Sequence, residues 1–216
     1  MLSPKDLRRP LPSGWQLIAG IDTGTYMSCS FWLFPPDSHE TFCVGEYPNY
    51  RYVGGEIELL GYSVPEWSRA VLDEYKRYVP GVSKLKAWAD QNSQFKTELQ
   101  HYNIVLLSNL RKLELRVEIS REYVNNRRAH YAPWLSVLPY EMENARWPDE
   151  ATSAGKFERI KQDDHTLDTM EHVLSRRPRH KAMLREKPET FRERFLRQNK
   201  IVDLEPNVDA HLGRHV

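Results

Sequence analysis

The sequence predicts an α/β fold, a mixed β-sheet flanked by helices, on three observations. Three strand-forming runs between Trp15 and Tyr47 are joined by tight turns, which reads as an antiparallel meander. Helix–strand units follow, and such units lay down parallel strands. A composition that is 40% hydrophobic and 11% aromatic over 216 residues can fill the core of one substantial domain.

Taken in order, Trp15 to Ile21 is apolar enough for a buried central strand, and it ends in the turn Asp22-Thr23-Gly24-Thr25. Tyr26 to Phe34 is the second strand, stopped by Pro35-Pro36-Asp37-Ser38, and Thr41 to Tyr47 is the third. Tyr50 to Tyr62 contains Gly54-Gly55 and reads as a β-hairpin or a loop. Val64-Pro65-Glu66 opens a helix with Pro in its first turn; Trp67, Val71, Leu72, Tyr75 and Val79 form its apolar stripe until Pro80-Gly81. Leu85 to Ala89 is a fourth strand that delivers Asp90 at its carboxyl end.

Ser93 is placed to cap a helix from Gln94 to His101, Ile104 to Leu107 is a short buried strand, and Leu110 to Val124 is a loosely periodic helix. An edge strand within 127–133, a helix from Trp134 to Glu143 and a loop over 148–162 lead to a last amphipathic helix opening at Asp163. Trp15, Trp32, Trp67 and Trp88 are expected in the core.

The domain plan is a Pro-rich leader or linker over 1–14, a folded body over 15–175 and a tail over 176–216. A formal net charge of +1 hides a split: the tail holds 11 Lys or Arg against 6 Asp or Glu, net +5, and the body is net −4. A body of that sign handles nucleic acid only if its carboxylates are masked, whereas the tail is suited to phosphate or to a protein partner. Cys29 and Cys43, the only cysteines, lack any Cys/His cluster and read as buried free thiols. No apolar run approaches the roughly 18 residues of a membrane span, so no membrane is expected as a partner.

The chemistry gathers at three places. Asp22 and Asp90 end the first and fourth strands; if those strands are parallel neighbours, the two carboxylates share the end of the sheet where α/β sites form. On the last helix Asp164 and Asp168 stand four apart and His165 and Asp168 three apart, so acids and imidazole share a face. No Lys or Arg accompanies these motifs, and so many carboxylates call for divalent cations; Mg²⁺ or Mn²⁺ suits an all-Asp donor set better than zinc. Two such ions support in-line hydrolysis of a phosphodiester, with His165 ligating or moving a proton. Arg127, Arg128, Lys156, Arg159 and Lys161 flank the acids in sequence and are candidates for DNA phosphate contact. The Asp22-Thr23-Gly24-Thr25 turn also matches the phosphate loop of actin-like kinases, but a second such loop is missing.

These residues carry a resemblance. Ala19-Gly20-Ile21-Asp22-Thr23-Gly24, then Trp88-Ala89-Asp90, then Asp163-Asp164-His165-Thr166-Leu167-Asp168, in this fold order, resemble the RNase H-like nuclease domain of the large terminase subunit of tailed phages. The third motif is similar to that family's Asp-His-x-x-Asp signature. Phe95-Lys96-Thr97-Glu98-Leu99 and the aromatic stretch from Tyr140 to Trp147 are also similar, while Thr169-Met170-Glu171-His172 departs from the pattern. The match covers about residues 20 to 175.

The resemblance implies a two-metal endonuclease that cuts concatemeric viral double-stranded DNA during packaging in the host cytoplasm. Asp22 would bridge two Mg²⁺ or Mn²⁺ ions, Asp90 would hold one, and Asp164 or Asp168 the other. It implies as partners an N-terminal ATPase domain of the same subunit, a portal protein and a small terminase subunit. No G-x-x-x-x-G-K-[ST] occurs, so the sequence reads as the C-terminal part of such a subunit. Two alternatives share the core: a Holliday-junction resolvase or integrase-type nuclease, and a module that mainly docks on a portal or capsid.

Overall fold

The computed structural model describes residues 10–36, 38–90, 95–109, 112–145 and 164–176. The first part of the leader, the 148–162 loop with Lys156, Arg159 and Lys161, Asp163, and the tail beyond Arg176 lie outside the described residues.

In chain order the elements are β1 (Gln16–Asp22), β2 (Ser28–Phe34), β3 (Thr41–Glu46), β4 (Tyr50–Val53), β5 (Glu56–Leu59), α1 (Val64–Tyr78), β6 (Leu85–Asp90), α2 (Lys96–His101), β7 (Ile104–Asn109), α3 (Leu113–Asn125), β8 (Ala129–Tyr131), α4 (Val137–Asn144) and α5 (His165–Leu174). Six strands form one mixed sheet in the order β7-β6-β1-β2-β3-β8, and β4 pairs with β5 as a separate hairpin. The meander β1-β2-β3 is antiparallel, β6 joins β1 in parallel, and β7 joins β6 in parallel. The expected edge strand is β8, parallel to β3.

Period-two alternation divides the sheet into two faces. On the first, Ala19, Ile21, Phe31, Leu33 and Ala87 pack with Trp67 and Val71 of α1 and Leu99 of α2. On the second, Trp32, Phe34 and Cys43 pack with Leu138 of α4 and with Leu167, Met170, Val173 and Leu174 of α5. Gly20 lies on this second face, and a Cβ there would run into the backbone carbonyl of Thr169. The missing side chain is what lets α5 settle directly on β1. Hydroxyl pairs complete the contact: Ser28 Oγ lies 2.7 Å from Thr166 Oγ1, and Ser30 Oγ 2.5 Å from Thr169 Oγ1.

The two cysteines are buried free thiols, and burial pushes both well above the usual thiol range. Trp32 and Trp67 are buried as expected, but Trp15 and Trp88 are only half-buried. Trp88 falls on the α5 face near the strand end, where the guanidinium of Arg176 stacks 4.7 Å from its ring centre. No described helix is long and apolar enough to cross a membrane.

Candidate active site

Asp22 and Asp90 close two adjacent parallel strands. The register pairs Gly20 with Trp88, so two residues farther on the aspartates end their strands side by side with side chains on the α5 face. α5 crosses this end of the sheet. His165 Nδ1 lies 2.8 Å from Asp22 Oδ2, and seven residues along the helix His172 Nε2 lies 3.6 Å from Asp90 Oδ1. His165, Asp168 and His172 follow the i, i+3, i+7 spacing of one helical stripe. Asp168 therefore sits on the stripe between a residue touching Asp22 and a residue touching Asp90, and it is only 8% exposed.

The sequence leaves open whether Asp164 serves as a helix cap or as a ligand. Asp164 is the N-cap residue of α5, but its side chain makes no cap hydrogen bond. The free amides of the first turn are satisfied from outside the helix. Thr166 N–H donates to Tyr50 Oη at 3.1 Å, and Leu167 N–H donates to Glu141 Oε2 at 2.7 Å. Glu141 Oε1 also accepts from Tyr50 Oη at 2.7 Å and Tyr52 Oη at 3.0 Å. The β4–β5 hairpin and α4 thus grip the end of the helix that carries the acidic motif. Burial is the largest influence on Glu141; its hydrogen bonds only partly offset it, and the carboxyl is pushed up to about 7. Burial and the neighbouring Glu141 likewise push the Tyr50 hydroxyl up.

Each strand-end carboxylate has a cationic or cation-forming neighbour. Burial pulls the pKa of His165 down, but the hydrogen bond and charge of Asp22, with Glu141 and Asp164 adding, outweigh it and raise the imidazole above its ordinary value. Asp90 Oδ1 accepts from Arg116 Nη1 of α3 at 2.9 Å. No Lys or Arg stands within the acidic motifs themselves; this cation comes from a helix distant in sequence and is 7% exposed. Arg116 Nη1 also lies 2.6 Å from His172 Nδ1, and Asn109 Nδ2 lies 3.4 Å from the same nitrogen. Among the described residues no three His, Cys, Asp or Glu side chains converge closely enough to hold a metal ion.

Arg127 and Arg128 are not beside this cluster. They form the turn between α3 and β8, where Arg128 carbonyl accepts from Thr41 N–H at the start of β3. β3 reaches the Asp22 end of the sheet only at its far end, since Glu46 pairs with Ser30. The two arginines flank the acids in sequence but sit at the opposite end of the strands. The residues that sequence reasoning missed are Arg116, His172, Glu141, Tyr50 and Tyr52. Of these only His172 had a local signal, its place on the His165–Asp168 stripe.

A mixed sheet with this strand order and helices on both faces defines the RNase H-like class of α/β folds. Within it, the chain has the fold of the nuclease domains of large terminases. It superposes on the P22 large terminase nuclease domain with a TM-score of 0.56 at 13% identity, covering 76% of this chain and 83% of that one. The nuclease domain of the large terminase of bacteriophage SPP1, solved with bound Mn, gives 0.52 at 14% identity over 74% and 86% of the two chains. The large terminase of the thermophilic bacteriophage D6E in complex with ADP gives 0.52 at 16% identity over 80% of this chain. The chain spans 42% of the length of that protein. No protein-family model and no curated protein matches the sequence.

Proposed function

We propose that the chain is a metal-dependent endonuclease domain that hydrolyses double-stranded DNA during viral genome packaging. The observation that carries this reading is that Asp22 and Asp90 end adjacent parallel strands and that α5, the helix bearing Asp168, meets both of them, through His165 and His172. The fold shared with the P22 and SPP1 nuclease domains, the latter with bound Mn, supports it.

Asp22, Asp90 and Asp168, with Asp164 as the alternative to Asp168, would hold one or two Mg²⁺ or Mn²⁺ ions; the all-carboxylate donor set fits these hard cations. When bound, such ions supply an activated water and neutralise charge on the leaving 3′ oxygen. The chain's own residues orient that chemistry. The β1 and β6 ends fix the spacing of two carboxylates, and the Glu141–Tyr50 grip fixes the turn of α5 that presents the third. His165, hydrogen-bonded to Asp22 and raised in pKa, holds a proton it can pass to the departing oxygen.

In this reading the partners are duplex DNA, the ATPase domain of a packaging subunit, a portal protein and a small terminase subunit, and the compartment is the host cytoplasm. The test is plasmid cleavage with Mg²⁺ or Mn²⁺. Cleavage is expected to stop with chelator and to fall at least about a thousandfold in Asp22→Asn, Asp90→Asn and Asp168→Asn. Full activity in all three variants would sink the reading. Preference for branched over linear duplex would move it to a junction-resolving nuclease.

A further inference from the structure

We propose that Tyr26 is a substrate-binding residue of this site, whose hydroxyl donates to a backbone phosphate of the DNA strand beside the cut. This rests on the nuclease reading above. The described arginines expected to grip the backbone, Arg127 and Arg128, lie at the other end of the sheet, and Tyr26 stands where the acids are.

Three observations single it out. Tyr26 follows Asp22 in the turn between β1 and β2, and its ring packs on the imidazole of His165 with centroids 5.3 Å apart, while His165 Nδ1 lies 2.8 Å from Asp22 Oδ2. One ring therefore separates Tyr26 from the strand-end carboxylate. The backbone on both sides of Tyr26 is pinned by one buried side chain: Asn49 Nδ2 donates to the Thr25 carbonyl at 3.1 Å, and Met27 N–H donates to Asn49 Oδ1 at 2.8 Å. The turn is thus held in shape before any substrate arrives, which lowers the cost of binding one.

The third observation is an idle donor. Tyr50 and Tyr52 tie their hydroxyls to Glu141, and Tyr78 ties its own to the Val44 carbonyl. Tyr26 belongs to the same aromatic group, edge-on to Tyr50 with centroids 5.8 Å apart. It is only half-buried, however, and its hydroxyl makes no hydrogen bond among the described residues. A ring needed for packing alone gains nothing from such a hydroxyl. A phosphodiester offers acceptors only, and tyrosine is among the side chains that donate to it. Beside carboxylates that hold divalent ions, an uncharged donor meets a phosphate without repelling the metals, as a Lys or Arg would.

Steady-state cleavage of a short duplex with Mn²⁺ tests this. Tyr26→Phe keeps the ring on His165 and removes only the donor. It is expected to raise KM at least about fivefold with kcat within about twofold of wild type, and to leave the denaturant midpoint unchanged. The salt dependence of KM should keep its wild-type slope, because an uncharged donor displaces no counterion. Wild-type KM in Tyr26→Phe overturns the proposal, and impairment of Tyr26→Ala alone would then assign the effect to the ring. A fall in kcat at unchanged KM, or a shallower salt slope, also overturns it. In all of these cases cleavage by wild type leaves the nuclease reading standing. No cleavage by wild type with Mg²⁺ or Mn²⁺ overturns both.

Discussion

The two faces of the sheet rest on different chemistry. Under α1 and α2 the contact is hydrocarbon, from Phe31, Leu33, Ala87, Val71 and Leu99. Under α5 the strand positions nearest the helix are Gly20, Ser28 and Ser30, and the helix answers with Thr166 and Thr169. An apolar contact is non-directional and stabilises many nearby positions of a helix almost equally. A backbone approach with hydroxyl pairs is satisfied at one position only. The first face holds the fold together, and the second places His165 and His172 against the strand-end acids.

The largest change is expected from Phe31→Ala on the hydrocarbon face. Phe31 is fully buried against Tyr47, Tyr75 and Tyr78, and its truncation is expected to cost about 3–5 kcal/mol, measured by denaturant unfolding. The cleavage rate per folded molecule should stay within about twofold of wild type, because no site residue leans on that ring. A fall of tenfold or more in that rate would break the distinction between the faces.

Gly20→Ala is the counterpart on the other face. The obstructing atom is the backbone oxygen of Thr169, which cannot rotate aside, so α5 must lift from β1. The stability cost is expected at or above the upper end of the usual overpacking range of about 1–3 kcal/mol. Cleavage by the folded fraction should fall at least about tenfold as Asp168 moves with its helix. Wild-type activity in folded Gly20→Ala would show that the helix position does not matter to the chemistry.

Much of this was legible in the sequence, for a physical reason. Hydrophobic periodicity and turn residues are local, so the meander, α1 and β6 could be read directly, whereas the parallel pairing of β1 with β6 entered only as a condition that the structure meets. The aspartates at strand ends and the His165–Asp168 face were legible because each is encoded within a few residues. What answers them was not. Arg116 lies 26 residues from Asp90 and Glu141 lies 26 from Leu167, and nothing in either's own stretch marks a buried charge. Arg127 and Arg128 show the converse: they flank the acids in sequence, but the turn that holds them lies where β3 and β8 begin, at the opposite end of the sheet from Asp22.

Glu141 gives a pH test of the same face. The native carboxyl keeps its proton to about pH 7, whereas in the unfolded chain it loses it near its ordinary 4.5. Between these values the unfolded state binds fewer protons, so stability falls as pH rises. The contribution is fully present below about pH 4.5 and is lost as pH rises through about 7. His165, also raised, acts in the same direction, so the informative quantity is a difference between two proteins. Relative to Glu141→Gln, wild type is expected to lose about 3 kcal/mol between pH 4.5 and pH 8, read from denaturant midpoints. Parallel pH profiles for the two proteins would show that the carboxyl is not held protonated by the fold.

The smallest expected effect is the most discriminating for how α5 is held. Trp32 Nε1 donates to Ser30 Oγ at 3.0 Å, which leaves the Ser30 hydroxyl proton for Thr169 Oγ1, and Thr169 Oγ1 donates on to the Thr166 carbonyl at 2.6 Å. Donor and acceptor roles are thus fixed along a chain from β2 into the helix. Ser30→Ala removes the middle link and strands the buried Trp32 N–H, at a cost of about 1–2 kcal/mol. Thr169 keeps its bond to its own helix, so the helix itself stays intact and only its tie to the sheet is cut. If directional ties place Asp168, the turnover rate should fall a few-fold while the apparent affinity for DNA stays put. If hydrocarbon packing from Val173 and Met170 places it instead, stability should drop with turnover unchanged, and the division of labour between the two faces would have to be redrawn.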